Sequence, residues 1–201
     1  MRDFERFLRV CAARCGQTLN VSELARDVGI SHTTAKQWLS VLQTSNQIFL
    51  LEPYYRSLGK RLAKSPKLYF ADTGLATYLM GFESADTLWG SAYIGALWEN
   101  YVVAQWVRWR DVRQPNASLW YWRDQGGNEV DLIVEINQQI FAIECKLTEK
   151  PSTRECAGIA RVSAMYGKQL AAAYVACHTP QAYDIVPGVA AVNGWKVWPL
   201  K

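Results

Sequence analysis

The chain has 201 residues, of which 50% are hydrophobic, 20% are charged and nine are tryptophan. This composition is sufficient for packed hydrophobic cores, and it excludes a disordered chain, which needs high charge and few aromatic residues. The net charge of +4 does not select a class of partner, because a total does not show where the positive potential lies.

The cysteines give no sign of a disulfide framework or a structural zinc site. Their number is odd and they lack paired zinc-ligand spacing: Cys11, Cys15, Cys145, Cys156 and Cys177. Charged residues near the N-terminus interrupt any signal peptide, and no apolar run is long enough to cross a bilayer. We therefore expect a soluble, cytoplasmic protein with reduced thiols and no membrane partner.

Three helices are predicted at the N-terminus. Apolar residues recur at helical spacing from Phe4 to Leu19, where Gly16 ends the first helix. Ser22 is the expected cap of a second helix to Val28. A turn then leads to Ser31, which can cap a third helix from His32 to Leu42. Two helices joined by a short glycine-containing turn are typical of a helix-turn-helix motif.

Two strands are predicted next, over 48–51 and 67–70, and they bracket a basic loop. Together with the helices they predict a winged helix-turn-helix domain over residues 1–72, followed by a helical connector over 73–90. The basic residues assigned to the wing are Arg56, Lys60, Arg61, Lys64 and Lys67.

The first half is interpreted as a DNA-binding unit. In this interpretation the third helix enters the major groove, and Lys60, Arg61 and Lys64 contact phosphates. The residues expected to face the groove are His32, Thr33, Thr34, Lys36, Gln37 and Ser40. The alternative is a helical connector that packs against an ATPase or a second subunit, because a fold alone does not establish function.

The second half, residues 91–201, predicts a different architecture. A long helix is expected from Ile94 to Trp109, and a further helix from Ser152, which has capping-box spacing with Glu155, to about Tyr166. The predicted strands are Leu119–Trp122, Val130–Glu135, Ile140–Leu147, Leu170–Cys177 and a fifth candidate at Trp195–Trp198. This order, αβββαβ, predicts an α/β (α+β) domain built on a mixed sheet.

Three residues of this half have types and spacing that suit metal chemistry. Glu144 and Lys146 share one face of the third strand, and Asp131 lies on the neighbouring strand of a hairpin. Two adjacent carboxylates repel each other unless a cation lies between them, and hard oxygen ligands suit Mg²⁺. A metal there would polarise a phosphodiester, with Lys146 placed to hold a water. The alternative for Glu144 and Lys146 is an ion pair at a solvated sheet edge.

Two segments that carry these residues resemble a known superfamily. Gly127-Asn128-Glu129-Val130-Asp131 followed by Ile143-Glu144-Cys145-Lys146 is similar to the Asp…Glu-x-Lys core of PD-(D/E)XK nucleases. More narrowly, three spaced motifs resemble the C-terminal half of a family of prokaryotic AAA-type ATPases with a domain of unknown function. These motifs are Lys67-Leu68-Tyr69-Phe70-Ala71-Asp72-Thr73-Gly74-Leu75, Gly95-Ala96-Leu97-Trp98-Glu99-Asn100 and Tyr121-Trp122-Arg123.

The resemblance implies roles for individual residues. Asp131, Glu144 and Glu99 would bind Mg²⁺ or Mn²⁺, with the Cys145 carbonyl as a further candidate ligand and Lys146 as the catalytic lysine. Glu129 is a reserve candidate, since it shares a face with Asp131, although a surface role is favoured for it.

Three functions remain open at this stage. The first is a metal-dependent DNase, the second a silent DNA-binding module, and the third an assembly domain for an ATPase partner or a homo-oligomer. The phosphate loop of the ATPase family is missing from the sequence, so no ATP hydrolysis by that route is expected. The chain is either a fragment of a longer protein or a shortened relative.

Overall fold

The computed structural model describes residues 2–55 and 64–200. The chain divides into two compact units, one of Met1–Leu51 and Ala63–Tyr101, the other of Glu52–Leu62 and Val102–Lys201. Over the described residues the fold is mixed α/β, with an N-terminal helical region, a six-stranded mixed sheet and seven α-helices. Within those two ranges, no helix has both the length and the hydropathy needed to span a bilayer.

The first unit contains helices and a small sheet in the order that the sequence predicts. Its elements are α1 (Arg2–Ala13), α2 (Val21–Val28), α3 (His32–Thr44), β1 (Ile48–Leu51), β2 (Lys67–Phe70), α4 (Thr73–Leu79) and α5 (Ala85–Trp89). Strands β1 and β2 have the predicted bounds and pair antiparallel, with Ile48 opposite Phe70. The long helix α6 (Ile94–Arg113) follows, and its residues are divided between the two units.

Local capping explains where α2 and α3 begin and end. Asn20, not the predicted Ser22, caps α2, because its side chain accepts hydrogen bonds from the N–H groups of Ser22 and Glu23. Gly29 ends α2 with φ of 82°, a left-handed conformation that favours glycine. Ser31 caps α3 as predicted, since its Oγ accepts the N–H of Thr34 at 3.0 Å.

The second unit is built on the six-stranded sheet. Its further elements are β3 (Ser118–Arg123), β4 (Glu129–Ile136), β5 (Gln139–Cys145), α7 (Ala157–Tyr166), β6 (Leu170–Cys177), β7 (Tyr183–Val186) and β8 (Val189–Asn193). The strand order is β3-β4-β5-β6-β8-β7, in which β5 with β6 and β6 with β8 are parallel and the other pairs antiparallel. The predicted order of helix, three strands, helix and strand is present.

The end of the sheet differs from the prediction. The expected strand at Trp195–Trp198 is wrong, because that segment has no strand conformation, and the chain instead forms the hairpin β7–β8 before it. The hairpin turns at Pro187 and Gly188, with Gly188 at φ of 81°. Proline followed by glycine with positive φ is typical of a type II turn. The last strands therefore lie earlier in the chain than expected.

Helix α7 packs closely on the sheet. The predicted capping box is present. The Ser152 N–H donates to the Glu155 carboxylate, and the Ser152 hydroxyl accepts a hydrogen bond from the Arg154 N–H. It opens a 3₁₀ turn over Thr153–Cys156 that runs into α7. At Gly158, an added Cβ would lie 1.9 Å from the carbonyl oxygen of Glu129. The helix therefore touches the backbone of β4 where that strand begins.

The segment immediately after β1 extends the large sheet. Pro53 forms a parallel bridge with Tyr121, and the Tyr54 N–H donates to the Tyr121 carbonyl at 2.6 Å. The Tyr121 N–H in turn donates to the Glu52 carbonyl at 3.0 Å. The Tyr54 ring is buried in the hydrophobic core of the second unit, 5.3 Å from the ring of Tyr166. Residues 52–54 thus cover the edge of β3.

Candidate functional site

The hairpin β4–β5 brings Asp131 beside the Glu144–Lys146 segment. Its turn at Asn137 and Gln138 has positive φ at both residues, as two-residue hairpin turns require. The resulting register pairs Leu132 with Ile143, and Asp131 and Glu144 are the residues adjacent to this pair on the two strands. Asp131 Oδ2 accepts the backbone N–H of Cys145 at 2.8 Å. This hydrogen bond fixes the Asp131 carboxylate against the end of β5.

Lys146 and Glu144 form a close ion pair. Lys146 Nζ lies 2.7 Å from Glu144 Oε1. Lys146 is the residue after the last of β5, but its N–H donates to the Ala176 carbonyl at 3.0 Å, so the pairing with β6 continues through it. Both side chains consequently point to the same face, as the sequence predicted.

The two members of this pair differ in their access to solvent. The Glu144 side chain is 9% exposed and that of Lys146 is 42% exposed. Asp131 is also buried. The arrangement is therefore not an ion pair at a solvated sheet edge but a buried pair of carboxylates whose open side carries an ammonium group.

Both carboxylates affect the protonation of Lys146. Partial burial lowers the pKa of Lys146, but the negative charges of Glu144 and Asp131 and the hydrogen bond to Glu144 outweigh this effect. The pKa of Lys146 is therefore raised above its ordinary value, and the side chain is cationic at neutral pH. Its charge compensates part of the repulsion between the two carboxylates.

Carboxylates also form a group that could hold a metal ion. Glu129 and Asp131, two residues apart on β4, each contribute an oxygen to it, and these oxygens lie within 4.8 Å. Glu129 thus belongs to the group although the sequence favoured a surface role for it; strand alternation with Asp131 was the signal that pointed to it. Glu144 is instead engaged by Lys146.

The Glu99 carboxylate has two donors in the first unit. Its Oε1 accepts hydrogen bonds from Lys67 Nζ at 2.8 Å and from the Tyr69 hydroxyl at 2.5 Å. The Lys67 side chain is 4% exposed. The prediction that Lys67 belongs to a basic wing is therefore wrong, because this residue lies in β2 and is buried against Glu99 rather than open to a phosphate.

The other residues predicted to contact nucleic acid differ in their exposure to solvent. Most of those on α3 are exposed, namely His32, Thr33, Lys36, Gln37 and Ser40. Thr34 is half-buried, and its hydroxyl lies 2.8 Å from that of Ser31 in the helix cap. Lys64 is exposed, whereas Arg56, Lys60 and Arg61 lie outside the described residues.

The fold and the site together define a class of protein: a two-unit α/β protein with a carboxylate and lysine cluster on a mixed sheet. Residues 94–201, more than half of the chain, match a domain of unknown function (DUF4143), and the chain belongs to that family. Residues 1–86 match a second domain of unknown function (DUF8612). The part of the resemblance that concerns a domain of unknown function is thereby confirmed.

Two mycobacterial proteins are similar in sequence to part of this chain. They are the uncharacterized proteins Mb2031c of Mycobacterium bovis and Rv2008c of Mycobacterium tuberculosis, each 36% identical over 137 residues. The match covers 68% of this chain but only 30% of each relative. No solved structure matches the chain.

Proposed function

We propose that the second unit is a metal-dependent nuclease domain of the PD-(D/E)XK type. The observation that carries this proposal is the fixed placement of Asp131 by the Cys145 N–H, beside a Glu144–Lys146 ion pair 2.7 Å long. A buried pair of carboxylates next to an accessible ammonium group has little value for stability alone, because burying charges costs more than such pairs usually return. It suits a site where charge must be handled during a reaction.

The donor groups fit a hard divalent ion. The candidate ligands are carboxylate oxygens of Asp131 and Glu144, with Glu129 beside Asp131 on β4 as a further one. The resemblance to the nucleases adds Glu99. Mg²⁺ and Mn²⁺ prefer such oxygens. When bound, a divalent ion supplies Lewis-acid polarisation of a phosphodiester.

The protein groups around the ligands have separate tasks. The Cys145 N–H holds Asp131 in one orientation, so this carboxylate is set before any ligand arrives. Lys146, at the open side, is placed to donate a hydrogen bond to a phosphate oxygen or to a water.

A plasmid-nicking assay tests the proposal. We expect the purified chain to nick supercoiled DNA with Mn²⁺ or Mg²⁺ and to lose about 100-fold or more of that rate in Asp131→Asn and Lys146→Met. Asp184→Asn on β7 and Lys168→Met, both at exposed positions, are the matched controls and should nick like wild type. Equal nicking by Asp131→Asn and Asp184→Asn would remove the assignment of catalysis to this site.

A second function is favoured by the surface of α3. The order of three helices and two antiparallel strands is that of a winged helix-turn-helix, and Thr33, Lys36, Gln37 and Ser40 recur at the spacing of one exposed helical face. We propose that this face contacts DNA, with or without cleavage by the second unit.

Binding of a labelled duplex, followed by fluorescence anisotropy over a series of salt concentrations, measures this directly. Affinity should fall steeply with salt, and Lys36→Ala should reduce the slope of log K against log salt by about 1. Lys168→Ala, which removes an exposed lysine of the second unit, is the control. Salt-independent affinity would contradict a phosphate-contacting surface.

An ATPase partner or a homo-oligomer remains part of the proposal. The sequence resembles the C-terminal half of an AAA-type ATPase family, and the chain spans only 30% of the length of the relatives named above. Light scattering coupled to size exclusion would give the mass in solution; a monomer would leave the ATPase arrangement as the assembly to test.

A further inference from the structure

The exposed face of α3 consists of two rows of side chains, each at a spacing of four residues. Residues four apart on a helix lie one above the other on the same face. The first row is Thr33, Gln37 and Val41, and the second is Lys36, Ser40 and Thr44. All of these residues are exposed, including the apolar Val41 at 56%. The first row therefore presents no charge to solvent, whereas the second presents one lysine.

The charge on and near α3 suits an approach to a phosphate backbone. No residue of His32–Thr44 is acidic. The two carboxylates of the preceding helix α2, Glu23 and Asp27, are both paired with Arg14 of α1. Unpaired carboxylates would repel the negatively charged backbone of a duplex. A duplex that approaches this face thus meets the positive charge of Lys36 and no carboxylate of α3.

Phosphate contacts alone do not explain the composition of this face. Affinity for phosphates comes chiefly from lysine and arginine, and the 13 residues of α3 include a single lysine. In the second row the Thr44 hydroxyl is engaged within the helix, where it donates to the Ser40 carbonyl at 2.8 Å. The first row offers an amide and methyl groups instead. These are groups that recognise the edges of bases.

Each side chain of the first row matches a feature of an A·T pair in the major groove. The Gln37 amide can bind adenine through two hydrogen bonds, because its oxygen accepts from N6 and its amino group donates to N7. The methyl groups of Thr33 and Val41 suit apolar contact with the C5-methyl group of thymine. A G·C pair presents no methyl group in the major groove.

The spacing of the row also fits a duplex. A helix rises about 1.5 Å per residue, so successive members of the row are about 6 Å apart along the axis. Base pairs follow one another at about 3.4 Å. With α3 along the groove, the row from Thr33 to Val41 therefore covers about four base pairs.

We propose that Thr33, Gln37 and Val41 recognise A·T base pairs in the major groove of duplex DNA. This inference rests on the proposed DNA contact of α3, and it names the class of sequence, a short element that contains A·T pairs. Gln37 contacts an adenine, and Thr33 and Val41 contact thymine methyl groups on its two sides. Lys36 contacts a phosphate, which holds the helix on the duplex without selecting a sequence.

Selection from a pool of duplexes with a randomised core, using the full chain and read by sequencing, gives the preferred site. We expect A·T pairs at the selected positions. Gln37→Ala should lose about 10-fold of the discrimination at one position, because a bidentate contact to a base contributes about that much. Alanine favours the helix, so this change does not threaten folding. Gln181→Ala, at an exposed glutamine just before β7, should keep the preference of the wild type.

Replacement of thymine by uracil tests the methyl contacts. Uracil pairs with adenine as thymine does but lacks the C5-methyl group, so each replacement in the selected duplex removes a methyl and no hydrogen bond. At a contacted thymine the wild type should lose about 4-fold in affinity. Val41→Ala should abolish this loss at one position. Val112→Ala shortens a side chain of α6 that is 75% exposed and should keep every loss.

The outcomes separate this inference from the proposed DNA contact. Salt-dependent binding without a sequence preference, or with a preference for G·C pairs, overturns the recognition of A·T pairs and leaves the DNA contact intact. Wild-type preference in Gln37→Ala together with wild-type sensitivity to uracil in Val41→Ala does the same. No duplex binding by the wild type overturns both. Loss of preference in Gln37→Ala and of uracil sensitivity in Val41→Ala, with both controls like wild type, supports both.

Discussion

Gly158→Ala is a test of how tightly α7 is seated on β4. Helix propensity alone predicts that this change stabilises the protein, because alanine is better than glycine in a helix by about 1 kcal/mol. The structure predicts the opposite, since the added Cβ would lie 1.9 Å from the Glu129 carbonyl oxygen and 2.9 Å from the carbonyl carbon. The two effects therefore have opposite signs at this position.

The steric effect should be the larger one. Non-bonded heavy atoms pack at about 3.5–4.0 Å, so the helix and strand would have to separate by more than about 1 Å. The obstacle is backbone of β4, a strand paired on both sides with β3 and β5, and it has little freedom to yield. Overpacking costs about 1–3 kcal/mol and occasionally more. With the upper part of that range set against the propensity gain, we expect a net loss of about 2 kcal/mol.

Urea unfolding monitored by tryptophan fluorescence measures this difference. Gly95→Ala is the matched control, because Gly95 also lies in a helix, α6, and an added Cβ there meets nothing within 4 Å. Gly95→Ala should be neutral or stabilising by up to about 1 kcal/mol. A midpoint for Gly158→Ala equal to or above that of wild type would refute the reasoning from close packing.

Three further predictions concern stability. Ser31→Ala should cost about 1 kcal/mol in urea unfolding, because it removes the cap hydrogen bond. Ser31→Gly should cost only a few tenths, because glycine readily adopts the extended backbone of an N-cap residue. Asn100→Ala should cost about 3 kcal/mol in the same assay, since it leaves the buried N–H and C=O of Phe70 without the amide that pairs with them. Burial raises the pKa of the Cys11 and Cys15 thiols to about 12, so only the unfolded chain ionises them as the pH rises above about 8.5. Between these two pH values the free energy of unfolding should fall by about 1.4 kcal/mol per pH unit for each thiol. The fall should be shallower in Cys11→Ala, and equal slopes in this variant and the wild type would contradict the assignment.

Secondary structure was predictable where the apolar pattern is long or bounded by clear turn residues. The strands β1, β2 and β6 have the predicted bounds, and α6 begins at the predicted Ile94 and runs four residues beyond Trp109 to Arg113. Strands β7 and β8 were missed because one has only four residues and the other is rich in alanine, which has low β-propensity. A strand was predicted at Trp195–Trp198 because tryptophan has high β-propensity, although no other feature of that segment indicated a strand.

Only the part of the candidate site that lies within one hairpin could be predicted from the sequence. A hairpin with a two-residue turn places Asp131 near Glu144 by counting along its arms, and alternation places Lys146 on the same face. The partners of Glu99 could not be found in this way, because Lys67 is 32 residues distant in the chain. A lysine beside a basic loop is normally exposed, and only tertiary packing shows that this one is buried.

The pairing of residues 52–54 with Tyr121 matters for how the protein is handled. These residues satisfy backbone groups of β3, which would otherwise be a sheet edge open to another chain. A recombinant piece that starts at Ile94 would retain every strand of the large sheet and yet lose the segment that covers β3, together with the Tyr54 ring from the core. Such a piece is expected to aggregate by strand addition, so expression of this half alone should carry residues 52–55 along with it.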